Sequence, residues 1–142
     1  MSALNDGGCT YTLGPQPNST VTANFCDADR APVVGSFYHD NGSRYFTTLR
    51  NVASSSPAPC IYLQGCCNAP ALDISVGQLW CRDEGYVRNG CAAGQSDCSK
   101  SYPGTEADCH CKVDSATVHV VPSGATWPAE AQAIIDAAGA RV

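Results

Sequence analysis

Three stretches of the chain repeat the same order of polar and apolar positions. Their tyrosines align, with steps of 27 residues from Tyr11 to Tyr38 and of 24 residues from Tyr38 to Tyr62. An approximate period of this length is typical of a solenoid, in which each unit buries its apolar face by stacking on its neighbours. The apolar runs are short and are separated by Gly, Pro, Asn and Ser, so the pattern predicts stacked units built from strands.

A second apolar patch follows each of these stretches. The alignment superposes the last residue of each patch: Phe25, Val52 and Val76. Each of these follows a small polar residue: Asn24, Asn51 and Ser75. For Asn24 this position predicts an inward or turn-stacking role. The pattern as a whole predicts three rungs, over residues 7–31, 35–58 and 59–82.

The remaining sequence departs from this repeat. Residues 81–111 contain five cysteines and almost no apolar periodicity, which predicts a disulfide-stapled excursion that depends on its bridges to fold. Residues 113–140 are predicted to contribute a last strand over 117–121 and a terminal helix over 127–139. Thr126 is the predicted N-cap of that helix, with Pro128 in its first turn. The helix is expected to close the C-terminal end of the core.

Ten cysteines are the second large feature: Cys9, Cys26, Cys60, Cys66, Cys67, Cys81, Cys91, Cys98, Cys109 and Cys111. An even number at this density is typical of up to five disulfides in an oxidising compartment. Zinc is the competing interpretation, prompted by Cys109, His110 and Cys111 with Cys98 nearby. Structural zinc sites usually have paired Cys-x2–4-Cys knuckles, which this chain lacks. Disulfides are therefore predicted for all ten cysteines, with their pairing left open, and neither a metal nor a cofactor is expected.

Composition and charge exclude several classes of partner. Charged residues make up only 15% of the chain, and the net charge of −5 leaves no basic stripe to neutralise nucleic-acid phosphates. The same charge argues against an anionic membrane surface, and no apolar run reaches the roughly 18 residues that a membrane span needs. We therefore expect a secreted, extracellular protein that binds neither nucleic acid nor membrane.

Two N-glycosylation sequons agree with the secretory route. They begin at Asn18 and Asn41 in turn-like sequence, and covalent glycans are expected at both. Residues 1–6 have neither the basic start nor the apolar segment of a signal peptide. The chain is therefore expected to begin after processing or to be part of a longer polypeptide, with further coils or another molecule covering its first rung.

The residues also resemble a known family. Residues 4–17, 38–43 and 51–52 look like the later coils of right-handed parallel β-helix proteins of the pectate-lyase-like superfold, and residues 127–139 are similar to their terminal helix. The resemblance covers residues 4–80 and 113–140. It implies an all-β fold, a right-handed parallel β-helix of about four coils with a short C-terminal helix. Many proteins of this superfold are secreted carbohydrate-active enzymes.

Asp6 and Asp40, with His39 beside Asp40, are the candidate catalytic residues. Glycoside hydrolysis needs two carboxyl groups facing a groove. The alignment places Asp6 and Asp40 one rung apart, a separation of about 4.8 Å between stacked strands. Aspartate beside glycine is also a common turn former. The turn interpretation therefore stands beside the catalytic one.

Other side chains are weaker candidates for a catalytic or binding role. His110 and His119 are predicted to be surface or packing residues. Three aromatic side chains either stack on sugar rings or pack against the core and the disulfides: Trp80, Tyr86 and Tyr102. No Gly-x-Ser-x-Gly sequence is present to supply a serine nucleophile.

Two functional hypotheses follow. In the first, the protein is an extracellular glycosylated β-solenoid subunit that stacks end to end, on copies of itself or on upstream coils, into a fibre or larger assembly. In the second, it is the C-terminal segment of a secreted polysaccharide-acting glycoside hydrolase or lyase, or a non-catalytic carbohydrate-binding module. The sequence favours the first hypothesis because its first rung is uncapped, its predicted cross-linking is dense and it contains no convincing acid–base constellation.

Overall fold

Two parallel β-sheets, one α-helix and one short 3-10 helix (Ser115–Thr117) make up the described part of the chain. The computed structural model describes residues 7–27, 34–54, 58–64, 71–83, 87–89 and 111–138. The smaller sheet contains, in spatial order, β1 (Thr10–Thr12), β4 (Phe37–His39), β6 (Ile61–Leu63) and β8 (Val87–Asn89). The larger sheet contains β10 (Val118–Val121), β7 (Ser75–Arg82), β5 (Arg44–Ala53) and β2 (Pro15–Thr22). In addition, β3 (Phe25–Cys26) pairs with β5, and β9 (Lys112–Val113) pairs with β7.

The chain alternates between the two sheets, and each new strand pairs in parallel with the previous strand of its own sheet. Parallel neighbours need a crossover connection, and here the strand of the opposite sheet is part of that connection. We call one strand of the smaller sheet, with the larger-sheet strands that align with it, a layer. The first layer is β1 with β2 and β3, the second is β4 with β5, the third is β6 with β7, and the last is β8 with β9 and β10. The strand β8 lies within the range predicted to be an excursion, and residues 90–110 lie outside the described residues.

The core lies between the two sheets. Aromatic and branched side chains favour these strands. Because side chains alternate along a strand, Phe37 faces the core while its neighbour Tyr38 faces outward. The largest core side chains without exposed surface are Phe37, Ile61, Leu63, Ile74 and Leu79.

The predicted alignment of the tyrosines is confirmed, and one predicted alignment in the larger sheet is wrong. Tyr11 pairs with Tyr38, and Tyr38 pairs with Tyr62. Phe25 pairs with Val52 as predicted, but the partner of Val52 in the third layer is Trp80 and not Val76. Val76 pairs with Thr48, four positions earlier. A shift of four residues preserves the two-residue alternation of a strand, so the hydrophobic pattern alone could not distinguish the two registers.

A corner repeats at one position of the larger sheet. Ala23, Arg50 and Gln78 occupy it in successive layers, and their φ angles of 57°, 55° and 48° lie in the left-handed region. Beside this corner, the Asn51 Oδ1 accepts hydrogen bonds from the backbone N–H and the Nδ2 of Asn24, both at 3.0 Å. The Asn51 Nδ2 donates to the Val21 carbonyl oxygen at 2.8 Å. This confirms the turn-stacking role predicted for Asn24, because the amides satisfy backbone groups that the corner leaves unpaired.

Two disulfides join the smaller sheet to the larger one at equivalent positions. Cys9 is bonded to Cys26 in the first layer and Cys60 to Cys81 in the third. In the second layer the same two positions are occupied by Ser36 and Ala53, both fully buried. Two disulfides indicate an oxidising compartment.

The other predicted half-cystines are not part of these two bonds. Cys111 is buried, with its Sγ 3.5 Å from the carbonyl oxygen of Ala71. The remaining five lie outside the described residues: Cys66, Cys67, Cys91, Cys98 and Cys109.

The terminal helix differs from its prediction in extent and in place. It is α1 (Ala129–Ala137), with an extended Pro128 at its N-cap and no side-chain cap, so the predicted cap at Thr126 is wrong. Its buried residues Ala131 and Ile134 pack in one cluster with Val52, Trp80 and Val121. These three lie in successive layers and on the outer face of the larger sheet. The helix therefore covers the side of the sheet stack and does not close its end.

Arg82, at the end of β7, holds the segment that connects β10 to α1. The Arg82 guanidinium lies 3.7 Å from the centroid of the Trp127 ring, and its Nη1 donates to the carbonyl oxygens of Pro122 and Ala125 at 2.8 and 2.9 Å. These contacts hold the turn through which the chain reverses onto the sheet. Among the described residues, no helix is long and apolar enough to cross a membrane.

Candidate functional site

A row of aromatic rings runs across the outer face of the smaller sheet. The Tyr11 and Tyr38 rings meet edge to face with their centroids 5.1 Å apart, and the Tyr38 and Tyr62 rings are stacked at 4.8 Å. The Arg88 guanidinium continues the row, 4.9 Å from the centroid of the Tyr62 ring. We call these four residues the aromatic row. The in-register parallel pairing of the four strands places the side chains one above another.

Asp40 lies beside the aromatic row in a buried hydrogen-bond network. The Tyr11 hydroxyl donates to its Oδ2, and the Gln64 Nε2 lies 3.4 Å from its Oδ1. The same Nε2 lies 3.3 Å from the Tyr38 hydroxyl, and the Tyr62 hydroxyl donates to the Gln64 Oε1 at 3.0 Å. Asp40 is only 3% exposed. Its carboxylate is therefore held by neighbouring side chains and does not face an open groove.

His39 faces the opposite way, into the core. Its Nδ1 lies 2.9 Å from the Thr12 Oγ1, and its Nε2 lies 2.8 Å from the Thr48 Oγ1. The Phe46 ring packs against it, with the centroids 5.1 Å apart. Burial removes solvation from the charged form and lowers the pKa of His39 to about 4. At neutral pH the ring is uncharged, and one nitrogen donates to a threonine while the other accepts.

Two of the three predicted catalytic residues, His39 and Asp40, thus face different sides of the smaller sheet. Successive side chains of a strand face opposite sides. His39 consequently lies in the core while Asp40 lies on the outer side of the smaller sheet. Asp6 lies outside the described residues, as do His110, Tyr86 and Tyr102. Within the described part of the chain, no group of three or more His, Cys, Asp or Glu residues could hold a metal ion.

An open cleft lies on the other side of the molecule, between α1 and the outer face of the larger sheet. Its volume is about 700 Å³, and the Trp80 and His119 rings are stacked in it with centroids 5.7 Å apart. The lining also includes Arg50 and Gln78, which are corner residues, and Glu130 in the first turn of α1. Trp80 itself is mostly buried and packs against the helix, whereas His119 is exposed.

The Thr117 hydroxyl in this cleft donates to the Asp114 carbonyl oxygen, whereas four other polar side chains of the lining are available to a ligand. Within the described residues, the side chains of Arg50, Gln78, His119 and Glu130 make no hydrogen bond or ion pair. A second cleft of about 470 Å³ adjoins the first and shares Gln78 and Thr117 with it. Sequence reasoning missed Arg50, Gln78 and Glu130 as members of a site. No motif contains them, and only the return of the helix onto the sheet brings them together.

Both sequon asparagines are exposed. Asn18 lies within β2, where the register with β5 is irregular and its φ is 60°. Asn41 lies in the turn that follows β4. Both amides are therefore accessible to a modifying enzyme.

Comparison with protein families, with curated proteins and with solved structures found no match.

Proposed function

We propose that this chain is an extracellular structural protein, a glycosylated right-handed parallel β-helix unit that stacks end to end into a fibre or larger assembly. The proposal rests mainly on the edges of the two terminal layers. Among the described strands, those of the first and last layers have a neighbour on one side only. Exposed apolar side chains lie on or beside these edges, with Leu13 52% and Val120 55% exposed. Open edges with apolar residues are sites at which further strands add.

The direction of the strands supports a repeating assembly. All the strand pairs of both sheets are parallel, so the two ends of the stack are different surfaces. One end of a copy therefore fits the opposite end of another copy and does not fit the same end. An interface between two different surfaces of the same molecule generates a filament when it does not close into a ring. The alternation of the chain between two sheets and the corner column support the β-helix assignment, because both repeat from layer to layer.

The disulfides and the sequons support an extracellular location. Disulfides persist in the secretory pathway and outside the cell. N-linked glycans are added to accessible asparagines on that same route, and Asn18 and Asn41 are both exposed. Glycans at these two positions would also increase the hydration of the sides of a fibre.

The test is the oligomeric state of the secreted chain. We expect assembly that increases with concentration, visible as filaments by negative-stain electron microscopy and as a growing sedimentation coefficient. Val120→Lys should weaken assembly at least tenfold, because it puts a charge at the open edge of β10. Gln132→Lys adds the same charge to the exposed surface of α1 and is the matched control. A wild-type chain that remains monomeric at every concentration would rule the proposal out.

A second candidate function is carbohydrate binding without catalysis, which the cleft beside α1 supports. Sugars are recognised by aromatic surfaces together with hydrogen-bond donors and acceptors, and here His119 and Trp80 lie beside Arg50, Gln78 and Glu130. Against a panel of soluble oligosaccharides, we expect calorimetric binding that Glu130→Ala and His119→Ala each weaken about tenfold. Asp136→Ala, on the same helix but outside the cleft, should bind as the wild type does. Absence of binding to every oligosaccharide would exclude this function.

A further inference from the structure

The turn between β4 and β5 contains two adjacent groups that can react with each other. It runs from Asp40 to Ser43, and the Ser43 N–H donates to the Asp40 carbonyl oxygen at 2.9 Å. Within the described residues, the Asn41 side-chain amide and the Gly42 backbone N–H make no hydrogen bond. Asn41 is also exposed, so its side chain is free to rotate towards the peptide bond that follows it.

Gly42 satisfies the geometry of the turn and leaves its own nitrogen accessible. Its φ angle of 70° lies in the left-handed region, which a residue with a Cβ rarely adopts. Because glycine has no side chain, nothing attached to its Cα hinders the approach of an electrophile to its nitrogen. The Asn41 Cγ is such an electrophile, and a bond between these two atoms closes a five-membered ring.

We propose that Asn41 is a site of spontaneous deamidation and isomerisation. The Gly42 nitrogen loses its proton to solvent and attacks the Asn41 Cγ. A C–N bond forms there, the bond from Cγ to Nδ2 breaks, and the leaving nitrogen takes up a proton and departs as ammonia. Water then adds to either carbonyl carbon of the cyclic imide and reopens it. One opening gives aspartate, and the other gives isoaspartate. The sequence of steps involves neither oxidation nor reduction, and water is its co-reactant.

The other asparagines whose side chains the structure describes are less suited to this reaction. The Asn24 and Asn51 amides are bonded to each other and to backbone carbonyl oxygens, and Asn51 is fully buried. A bulky side chain follows each of them in the sequence. Asn18 is exposed, but it lies within β2 and a serine follows it. We therefore expect Asn41 to react first among these four.

The reaction changes the contact between the first two layers. The Asn41 carbonyl oxygen accepts a hydrogen bond from the Gly14 N–H at 3.3 Å. Isoaspartate adds one carbon atom to the main chain at this point, and either product adds a negative charge next to Asp40. A bulky N-glycan on the Asn41 Nδ2 would hinder the ring closure. Glycosylation and deamidation are therefore alternative fates of the same side chain.

Peptide mass spectrometry measures the reaction. Trypsin releases residues 31–44 as one peptide, and Asn41 is its only asparagine. The chain is secreted into the oxidising periplasm of a bacterial strain that lacks N-glycosylation, and is then incubated in its folded state at neutral and at mildly alkaline pH. We expect the peptide to acquire the mass of the acid and to separate into an aspartate and an isoaspartate form. Conversion should be faster at the higher pH, because the Gly42 nitrogen must lose its proton.

Internal references show whether the turn itself permits the reaction. A synthetic peptide of residues 31–44 represents an unprotected asparagine, and the folded chain should convert at a rate within about threefold of it. The bonded amides of Asn24 and Asn51 react only after local opening, so their conversion should be at least about tenfold slower than that of Asn41.

A pair of matched variants identifies the nucleophile. Gly42→Asp retains a residue that tolerates the left-handed region but adds a side chain beside the attacking nitrogen, and should slow the conversion of Asn41 about tenfold. Gly124→Asp makes the same change in another turn, where φ is 78°, and should leave the conversion unchanged. Circular dichroism verifies that both variants are folded.

Three results would overturn the proposal. If the folded chain converts Asn41 more than about tenfold more slowly than the free peptide, the turn protects the residue. If Gly42→Asp converts as fast as the wild type, or if Gly124→Asp slows conversion equally, attack by the Gly42 nitrogen does not set the rate. The proposed assembly is tested separately, because a chain that converts Asn41 and stays monomeric would contradict the fibre and leave this inference standing.

Discussion

Replacing Cys60 and Cys81 together by alanine should lower the free energy of unfolding by about 4 kcal/mol. The disulfide closes a sequence separation of 21 residues, and both half-cystines are fully buried. Without the bond, the unfolded chain gains the entropy of an open loop, and the core of the third layer loses two sulfur atoms. Urea unfolding of the full chain, monitored by circular dichroism with neither a reductant nor an oxidant added, gives the value. Replacing both residues leaves no new thiol to mispair.

Two further double variants separate the effect of the disulfide bond on stability from the effect of the lost core volume. Replacing Cys9 and Cys26 by alanine opens a similar separation of 17 residues, but Cys9 is exposed, so we expect a smaller loss of about 3 kcal/mol. Ser36→Cys with Ala53→Cys supplies the missing bond of the second layer, also across 17 residues, and should add about 2 kcal/mol where the bond forms. An unchanged stability of the Cys60 and Cys81 variant would mean that the disulfide does not restrain the unfolded chain.

The positions of the two disulfides also bear on the proposed assembly. Each joins a residue just before a smaller-sheet strand to a residue in the larger sheet, so it holds the two sheets of one layer together. The first layer has fewer neighbours than an inner layer, and Cys9–Cys26 keeps its sheets at a fixed separation. In the proposed assembly, a layer with fixed sheet positions would present both edges to a second copy in one register.

The sequence was sufficient for features that repeat in the same form in successive layers. The tyrosines of the aromatic row, Tyr11, Tyr38 and Tyr62, were found from spacing alone because each of the first three layers has one at the same place. Asn24 and Asn51 were aligned for the same reason, because they occupy the same place in the first two layers. Repetition turns a weak local preference into a recognisable pattern, and the strands of both sheets follow from it.

Features that depend on how segments return to the sheet could not be found in this way. The register of Val76 depended on the length of the connection between β6 and β7, which the repeat does not specify. The place of α1 depended on the outer column of Phe25, Val52 and Trp80, whose apolar side chains offered the helix a surface on the side of the stack. The cleft beside α1 exists only because of that docking.

One missed assignment was accessible from the alternation of the strand. Phe37 belongs to the core, so a two-residue period places His39 on the same inner side and Asp40 on the other. The two residues are neighbours in sequence, and this suggested a joint catalytic role. The alternation instead separates them, which leaves His39 as a buried polar residue with a structural function.

His39 should make the protein sensitive to acid between pH 6.5 and pH 4. Its pKa is 6.5 when solvated and about 4 in the folded chain, because burial disfavours the charged ring. Between these values the unfolded chain binds a proton that the folded chain does not, so the free energy of unfolding falls as the pH falls. The full contribution is present above pH 6.5. The shift corresponds to a loss of about 3 kcal/mol, which levels off below about pH 4.

His39→Gln isolates this contribution, because glutamine can hydrogen-bond to Thr12 and Thr48 but does not titrate. The variant should be less stable than the wild type at pH 7, and the difference should shrink by about 3 kcal/mol on acidification to pH 4. His119→Gln removes an exposed histidine and should leave the pH dependence of the wild type unchanged. Urea unfolding at half-unit pH intervals measures the three curves. If His39→Gln and the wild type lose stability in parallel from pH 7 to pH 4, then His39 is not held uncharged by the core, and carboxylate protonation accounts for the acid response.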